Sequence, residues 1–186
     1  MLPRARRLRK PLELLPACGP FDGGVWADVG CGDGIFTEGV LAQDGAPLMV
    51  FGLDRDLTEL KRMAAWAESL AEQANVRMVQ ADVLDALPFR SLDGILAANV
   101  LHFVPLEQKA RVLGGFLRAL KPGGKLIIVE YSAVRGNGAV PHPLTALGWL
   151  DLIKGARFSA ARVAARVPST FLGEMAAITA TRPGDR

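Results

Sequence analysis

"VWADVGCGDGIF", residues Val25–Phe36, decides how this chain is read. An apolar run ends in an acid, and glycines then stand at every second position: Gly30, Gly32 and Gly34. A strand that runs into such a turn brings backbone close to whatever lies above it, because glycine has no Cβ to keep a ligand away. The helix that the pattern predicts next, from about Asp33 to Gln43, offers free N–H groups at its start. A dinucleotide turn places its glycines first, third and sixth. Counted from Gly30, the sixth position is Ile35, so the motif is Asp-x-Gly-x-Gly-x-Gly from Asp28. Taken alone, the turn leaves three ligands open: a dinucleotide, a phosphate or another adenosine-bearing molecule.

The surrounding pattern alternates. "LMVFGLD" (48–54), "VRMVQAD" (76–82), "LDGILAANV" (92–100) and "KLIIVEY" (125–131) read as four further strands. Between the second and third, Leu57, Leu60, Ala64, Ala67 and Ala71 recur at spacings of three and four, the period of one helix face. After Pro105, Leu106, Ala110, Leu113, Leu117 and Leu120 do the same, until "KPGG" stops the helix. Alternating strands and helices predict an open, mainly parallel sheet covered on both faces. Past the Gly/Pro-rich stretch 132–143, a helix is expected near Leu144 to Lys154. "SAARVAARV" and "GEMAAITATR" then read as an antiparallel pair.

Bulk properties narrow the classes. The chain has 186 residues, half of them hydrophobic, which suits one domain with a real core. No apolar run is long enough to span a bilayer, and no membrane partner is expected. Arg4, Arg6, Arg7, Arg9 and Lys10 supply five of the 22 basic residues. The other 17 face 19 acidic ones, a balance of −2, so the basic character is N-terminal. A solvated tail is the plain reading of that cluster. A contact with nucleic acid or anionic lipid is the alternative, not favoured because no aromatic residues interleave the charges and no second basic cluster joins them. Cys18 and Cys31 are too few and too badly placed for a disulfide framework or a zinc site, so a reduced, cytoplasmic protein without a metal is expected. Residues 1–24 read as a basic lead-in with a short helix near Pro11 to Pro16, and residues 25–186 as a single domain.

In an open parallel sheet, ligands sit beyond the carboxyl ends of the strands. Three more residues fall there. Asp54 ends the second strand, where a carboxylate can accept from both hydroxyls of a ribose. Asp56 is the better helix cap and leaves Asp54 free. Asp82 closes the third strand and could accept from an exocyclic amine, although a turn residue is the simpler account of it. Asn99 ends the fourth, with His102 close behind.

With these pieces in order, the chain resembles the class I S-adenosylmethionine-dependent methyltransferases, of the small-molecule type similar to those of ubiquinone and menaquinone biosynthesis. "VWADVGCGDG", "VFGLDRD", "VQADVLD", "LDGILAANVLHFV" and "LKPGGKLIIVEYS" carry the resemblance, over about residues 12–131. It implies a Rossmann-like, doubly wound, seven-stranded sheet that finishes in an antiparallel hairpin, and S-adenosyl-L-methionine as cofactor. It further implies that Asp28 and the backbone of Gly30, Cys31, Gly32 and Gly34 pack around the methionine part. Asp54 would hold the ribose, Asp82 the adenine amine with the Val83 N–H near the ring, and Arg55 and Leu84 would flank that ring. The backbone of Asn99, with Val100, would face the sulfonium.

Methyl transfer of this type is a direct displacement, for which alignment of the reactants supplies much of the rate. Where a base is needed, His102 is the first candidate, and Glu130, Tyr131 and His142 the others. The plainer reading of His102 is a pocket-wall residue hydrogen-bonded to backbone. The fourth strand ends in "NVLH" rather than Asn/Asp-Pro-Pro-aromatic, which argues against planar amino groups as acceptors. The expected partner is a small-molecule methyl acceptor, enclosed by the N-terminal segment and the loop from Ser132 to Pro143. An RNA or protein methyltransferase docking through its basic N-terminus is the alternative, and a binding module or a nicotinamide oxidoreductase fits less well.

Overall fold

The computed structural model describes residues 9–70, 75–169 and 171–184. Seven strands form one sheet: β1 (Val25–Val29), β2 (Met49–Asp54), β3 (Asn75–Gln80), β4 (Leu92–Ala98), β5 (Leu120–Ser132), β6 (Ser159–Pro168) and β7 (Glu174–Thr181). Their order is β3-β2-β1-β4-β5-β7-β6. The first five are parallel, and β7 lies antiparallel between β5 and β6. The helices are α1 (Arg9–Leu12), α2 (Ile35–Leu41), α3 (Leu57–Ala67), α4 (Leu106–Ala119) and α5 (Ala146–Gly155).

Strand parity builds the two cores. Ile95, Ala97, Leu126 and Ile128 face α4 and α5, where they meet Val112, Leu113, Phe116, Trp149 and Ile153. Their neighbours Leu96, Ala98, Ile127 and Val129 face the other way, toward Ile35, Phe36 and Val40 of α2. Side chains of a strand alternate between faces, so a run that is apolar at every position is buried on both. These cores hold the carboxyl ends of β1 and β4 side by side at the place where strand order reverses, the usual ligand crevice of such sheets.

The N-terminal segment belongs to this core. Leu14, Leu15, Cys18 and Phe21 are buried with α2 and the sheet. The single short helix expected near Pro11 to Pro16 is two pieces, α1 and a 3-10 turn over Leu15–Cys18, with Pro16 at the start of the second. A proline there has no N–H to donate to a helix running through it. The described part of this segment lies beneath α2 and adds no side chain to the cleft. Arg4, Arg6 and Arg7 of the basic cluster lie outside the described residues.

Other elements differ from expectation at their ends. β3 stops at Gln80 and β4 at Ala98, so Asp82 and Asn99 stand just beyond their strands. β5 begins at Leu120 because α4 runs directly into it, the chain reversing at Gly123 with φ +78°. Both cysteines are free and buried. Among the described residues no helix is long and apolar enough to cross a membrane, and no group of three His, Cys, Asp or Glu side chains is placed to hold a metal.

Candidate functional site

A cleft of about 270 Å³ opens above the carboxyl ends of β1–β4. Its floor is the glycine turn. The N–H groups of Gly30 and Cys31 both donate to the carbonyl of Leu53, at 2.7 and 2.9 Å, which pins the turn to β2. Gly30 has φ +73°, and a Cβ there would overlap the Val100 side chain. Only glycine lets the two walls of the cleft meet at this point.

Asp54 faces the turn. Its Oδ2 accepts the Gly32 N–H at 2.9 Å and its Oδ1 the Asp56 N–H at 2.9 Å. Asp56 caps α3 by accepting the Thr58 N–H at 2.7 Å. Asp54 is therefore free of helix capping, but its carboxylate also sets the height of the glycine turn. Asp82 shapes its own loop by accepting the Leu84 N–H at 2.9 Å. Across the mouth, Arg55 approaches Asp82 at 3.6 Å, an exposed pair that adds little stability.

Asn99 has φ +54°, in the left-handed region that asparagine tolerates better than most residues. Its N–H donates to the Val129 carbonyl at 2.9 Å. Its Oδ1 is buried and has no hydrogen-bond partner among the described residues. A buried acceptor left unpaired costs about 1–3 kcal/mol, so this oxygen on the cleft wall is fitted to receive a donor from a ligand.

Gly30, Gly32, Asp54, Arg55, Asp82, Val83 and Asn99 thus come together on one cleft, joined by Leu84, Val100 and Phe103. Asp28, Cys31, Gly34 and His102 do not line it. Asp28 shares strand parity with Trp26, so it points under the turn, where its Oδ2 accepts the Thr37 hydroxyl at 2.6 Å. Burial pushes its carboxyl up to about 7; the Thr37 hydroxyl holds it down and the Asp54 charge raises it further. Cys31 packs with Leu60 and Met63. Burial, aided by the charge of Asp28, raises its thiol and keeps it neutral. Gly34, with φ +89°, starts α2 with its back to Met63 of α3.

His102 also departs from the expected position. Its ring is buried beneath the cleft wall, with Nδ1 2.8 Å from Glu130 Oε2. The other carboxylate oxygen, Oε1, accepts the N–H groups of Val100 at 2.9 Å, Leu101 at 2.6 Å and His102 at 3.3 Å. Lys109 of α4 donates to the Leu101 carbonyl from the same interior and lies 5.0 Å from the Trp149 ring centre. Burial pushes its ammonium down to about 8, and Glu130 pulls it back up. His102 is a brace for the 100–103 turn rather than a group aimed into the cleft. Glu130 is the centre of that brace, and Tyr131 is half-buried, its hydroxyl pushed up by burial and by the Glu130 charge. His142 is exposed and donates its N–H to the His102 carbonyl at 3.0 Å. Reading the sequence missed the brace because Glu130 and Lys109 meet only through the packing of β5 on α4.

The model of a methyltransferase domain matches residues 27–128, more than half of the chain. The chain belongs to the methyltransferase-domain family. The class is that of the S-adenosylmethionine-dependent class I enzymes, as the motif order implied. Among curated relatives, the domain is 28% identical over 109 residues to the ubiquinone biosynthesis O-methyltransferase of Xylella fastidiosa, covering 59% of this chain and 42% of the relative. It is 33% identical over 126 residues to the tRNA (carboxymethyluridine(34)-5-O)-methyltransferase ALKBH8 of Macaca fascicularis, covering 65% of this chain and 16% of that protein. The chain thus spans less than half the length of either. A SAM-dependent methyltransferase from Methanosarcina mazei has the same fold, with a TM-score of 0.72 at 16% identity over 92% of this chain and 98% of that one.

The residues present fit the family's cofactor. The unpaired Asn99 oxygen and the bare backbone of Gly30 sit on one wall, with Asp54 and Asp82 toward the other end. A nucleoside joined to an amino-acid chain needs acceptors at one end of a groove and close backbone at the other, and the methyltransferase domain presents both.

Proposed function

We propose that this domain transfers a methyl group from S-adenosyl-L-methionine to a small-molecule acceptor. The carrying observation is the placement of Asp54, the glycine turn, Asp82 and Asn99 along one cleft at the reversal of strand order. When bound, the cofactor supplies a methyl carbon made electrophilic by a positively charged sulfur. Asp54 would hold the ribose hydroxyls and Asp82 the adenine amine, while Val83 and Leu84 shield the ring from water.

At the acceptor end, Asn99, Val100, Phe103 and Val104 line the wall, and none of these side chains titrates near neutral pH. The chemistry of this domain is therefore orientation: two reactants held in line along the groove, without a protein base on that wall. An acceptor whose nucleophile is already unprotonated, or loses its proton to water, suits such a site. The similarity to a relative named for ubiquinone biosynthesis supports a small molecule.

Calorimetry with S-adenosylhomocysteine and with NAD tests the donor. Binding of the first with none of the second is expected, and tight NAD binding alone would remove the reading. Nucleic-acid binding that weakens steeply with salt, and is lost on removing residues 1–10, would replace the small molecule with RNA.

A further inference from the structure

Beyond Asn99 the carboxyl edge of the sheet changes character. A row of rings begins there. Phe103 stands on the cleft wall and is 54% exposed. Its ring centre lies 4.2 Å from that of His102. The His102 ring meets Tyr131 edge-on at 5.7 Å, and Tyr131 lies 5.7 Å from Phe171 in the turn between β6 and β7. Phe171 is also 54% exposed.

The composition makes this row unusual. The chain has eight phenylalanines and a single tyrosine. Among the described residues, Phe103 and Phe171 are the only large aromatic side chains left exposed. Both lie in the row, and the tyrosine links them. The row is also continuous with the cleft through Phe103. Its near end is held still by the Glu130 carboxylate, which grips the turn that carries Phe103. A ring fixed in place before binding loses little freedom when a ligand covers it.

We infer that the exposed face of this row, with Phe103 on the cleft wall and His102 buried behind it as support, is the acceptor subsite, and that the acceptor presents a planar aromatic ring to Phe103. The inference rests on the reading of the cleft as a methyl-donor site, because that reading puts the acceptor next to Asn99 and Val100. An aromatic partner is favoured over an aliphatic one by the preference of rings for offset or edge-on contact, a gain beyond the area covered. Asn99, Val100 and Val104, which line the cleft together with Phe103, are uncharged.

Two alcohols with one carbon skeleton test this: 2-naphthol and its saturated counterpart, decahydro-2-naphthol. The full chain is first titrated with S-adenosylhomocysteine by calorimetry, and the loaded protein is then titrated with each alcohol by NMR. The expected result is that 2-naphthol binds roughly twofold to tenfold more tightly than the saturated alcohol. Phe103→Leu, which keeps an apolar side chain, should abolish that preference. Phe171→Leu, outside the cleft wall, should reduce it while leaving affinity for S-adenosylhomocysteine unchanged.

Equal binding of the two alcohols, or a preference that survives Phe103→Leu, would overturn the aromatic subsite and leave the donor reading standing. No heat with S-adenosylhomocysteine would overturn both. Sedimentation showing a dimer that both leucine variants dissociate would assign the row to a second copy of the chain and likewise overturn the proposal.

Discussion

Glu130 Oε2 lies 2.8 Å from His102 Nδ1, while Oε1 of the same carboxylate gathers the backbone N–H groups of Val100 and Leu101. One side chain at the end of β5 thereby fixes the cleft wall that follows β4. Removing a buried charge partner leaves the others uncompensated and costs about 3–5 kcal/mol. Glu130→Ala should lower stability to urea by that amount and weaken S-adenosylhomocysteine binding. Glu130→Gln keeps an oxygen for the N–H groups and should lose less than half as much. Equal losses in both variants would show that the charge, not the backbone grip, is what matters.

The glycine turn gives a second test, by contrast of two neighbours. A methyl group on Gly30 meets Val100 and demands an unfavourable φ, whereas one on Gly32 meets nothing within 4 Å. Gly32→Ala should cost about 1–2 kcal/mol through its positive φ alone. Gly30→Ala should do that and also push the Val100 wall outward, weakening S-adenosylhomocysteine by more than about tenfold. Calorimetry on the two variants decides; similar affinities would sink the close-approach account.

Asp28 makes stability depend on pH. Its carboxyl titrates at about 7 in the fold against an ordinary value of 3.8, so the folded protein holds a proton that the unfolded chain has lost between those values. Stability must then fall as pH rises from about 4 to about 7 and level off above. The loss between pH 5 and pH 7 should be on the order of 2 kcal/mol. Asp28→Asn, which can still accept from Thr37, should flatten that slope in urea denaturation at the two pH values.

Asp54 serves both the turn and the ligand. Asp54→Asn retains a carbonyl for one N–H but loses the charge. A charged hydrogen bond contributes about 1.5–3 kcal/mol, so affinity for S-adenosylhomocysteine should drop roughly 10- to 100-fold. The far-ultraviolet circular dichroism should be unchanged. Unaltered affinity would take the ribose away from Asp54.

Much of this could be read from residue order because strand ends and helix faces are local patterns. "VFGLD" places Asp54 at a carboxyl edge, and the period-two alternation that buries Leu53 leaves it facing the turn. The same alternation held the clue to Asp28, which shares Trp26's face and so lies under the turn instead of in the cleft. Cys31 and Gly34 turned away because the backbone reverses at each glycine, and no period survives such a reversal. His102 is a different case. Its partner Glu130 lies 28 residues on and its neighbour Lys109 on another helix, so only the packed fold brings the three together.

The sheet order carries one more consequence, for a chain that is still being made. β7 pairs with the edge of β5 that faces away from β4, from Lys125 opposite Thr181 to Ser132 opposite Glu174. Until residues 174–181 leave the ribosome, the parallel half of the sheet ends in a bare, apolar strand edge that invites pairing with another nascent chain. A fragment cut short before Glu174 would therefore keep every cleft residue and yet expose a sticky β5 edge.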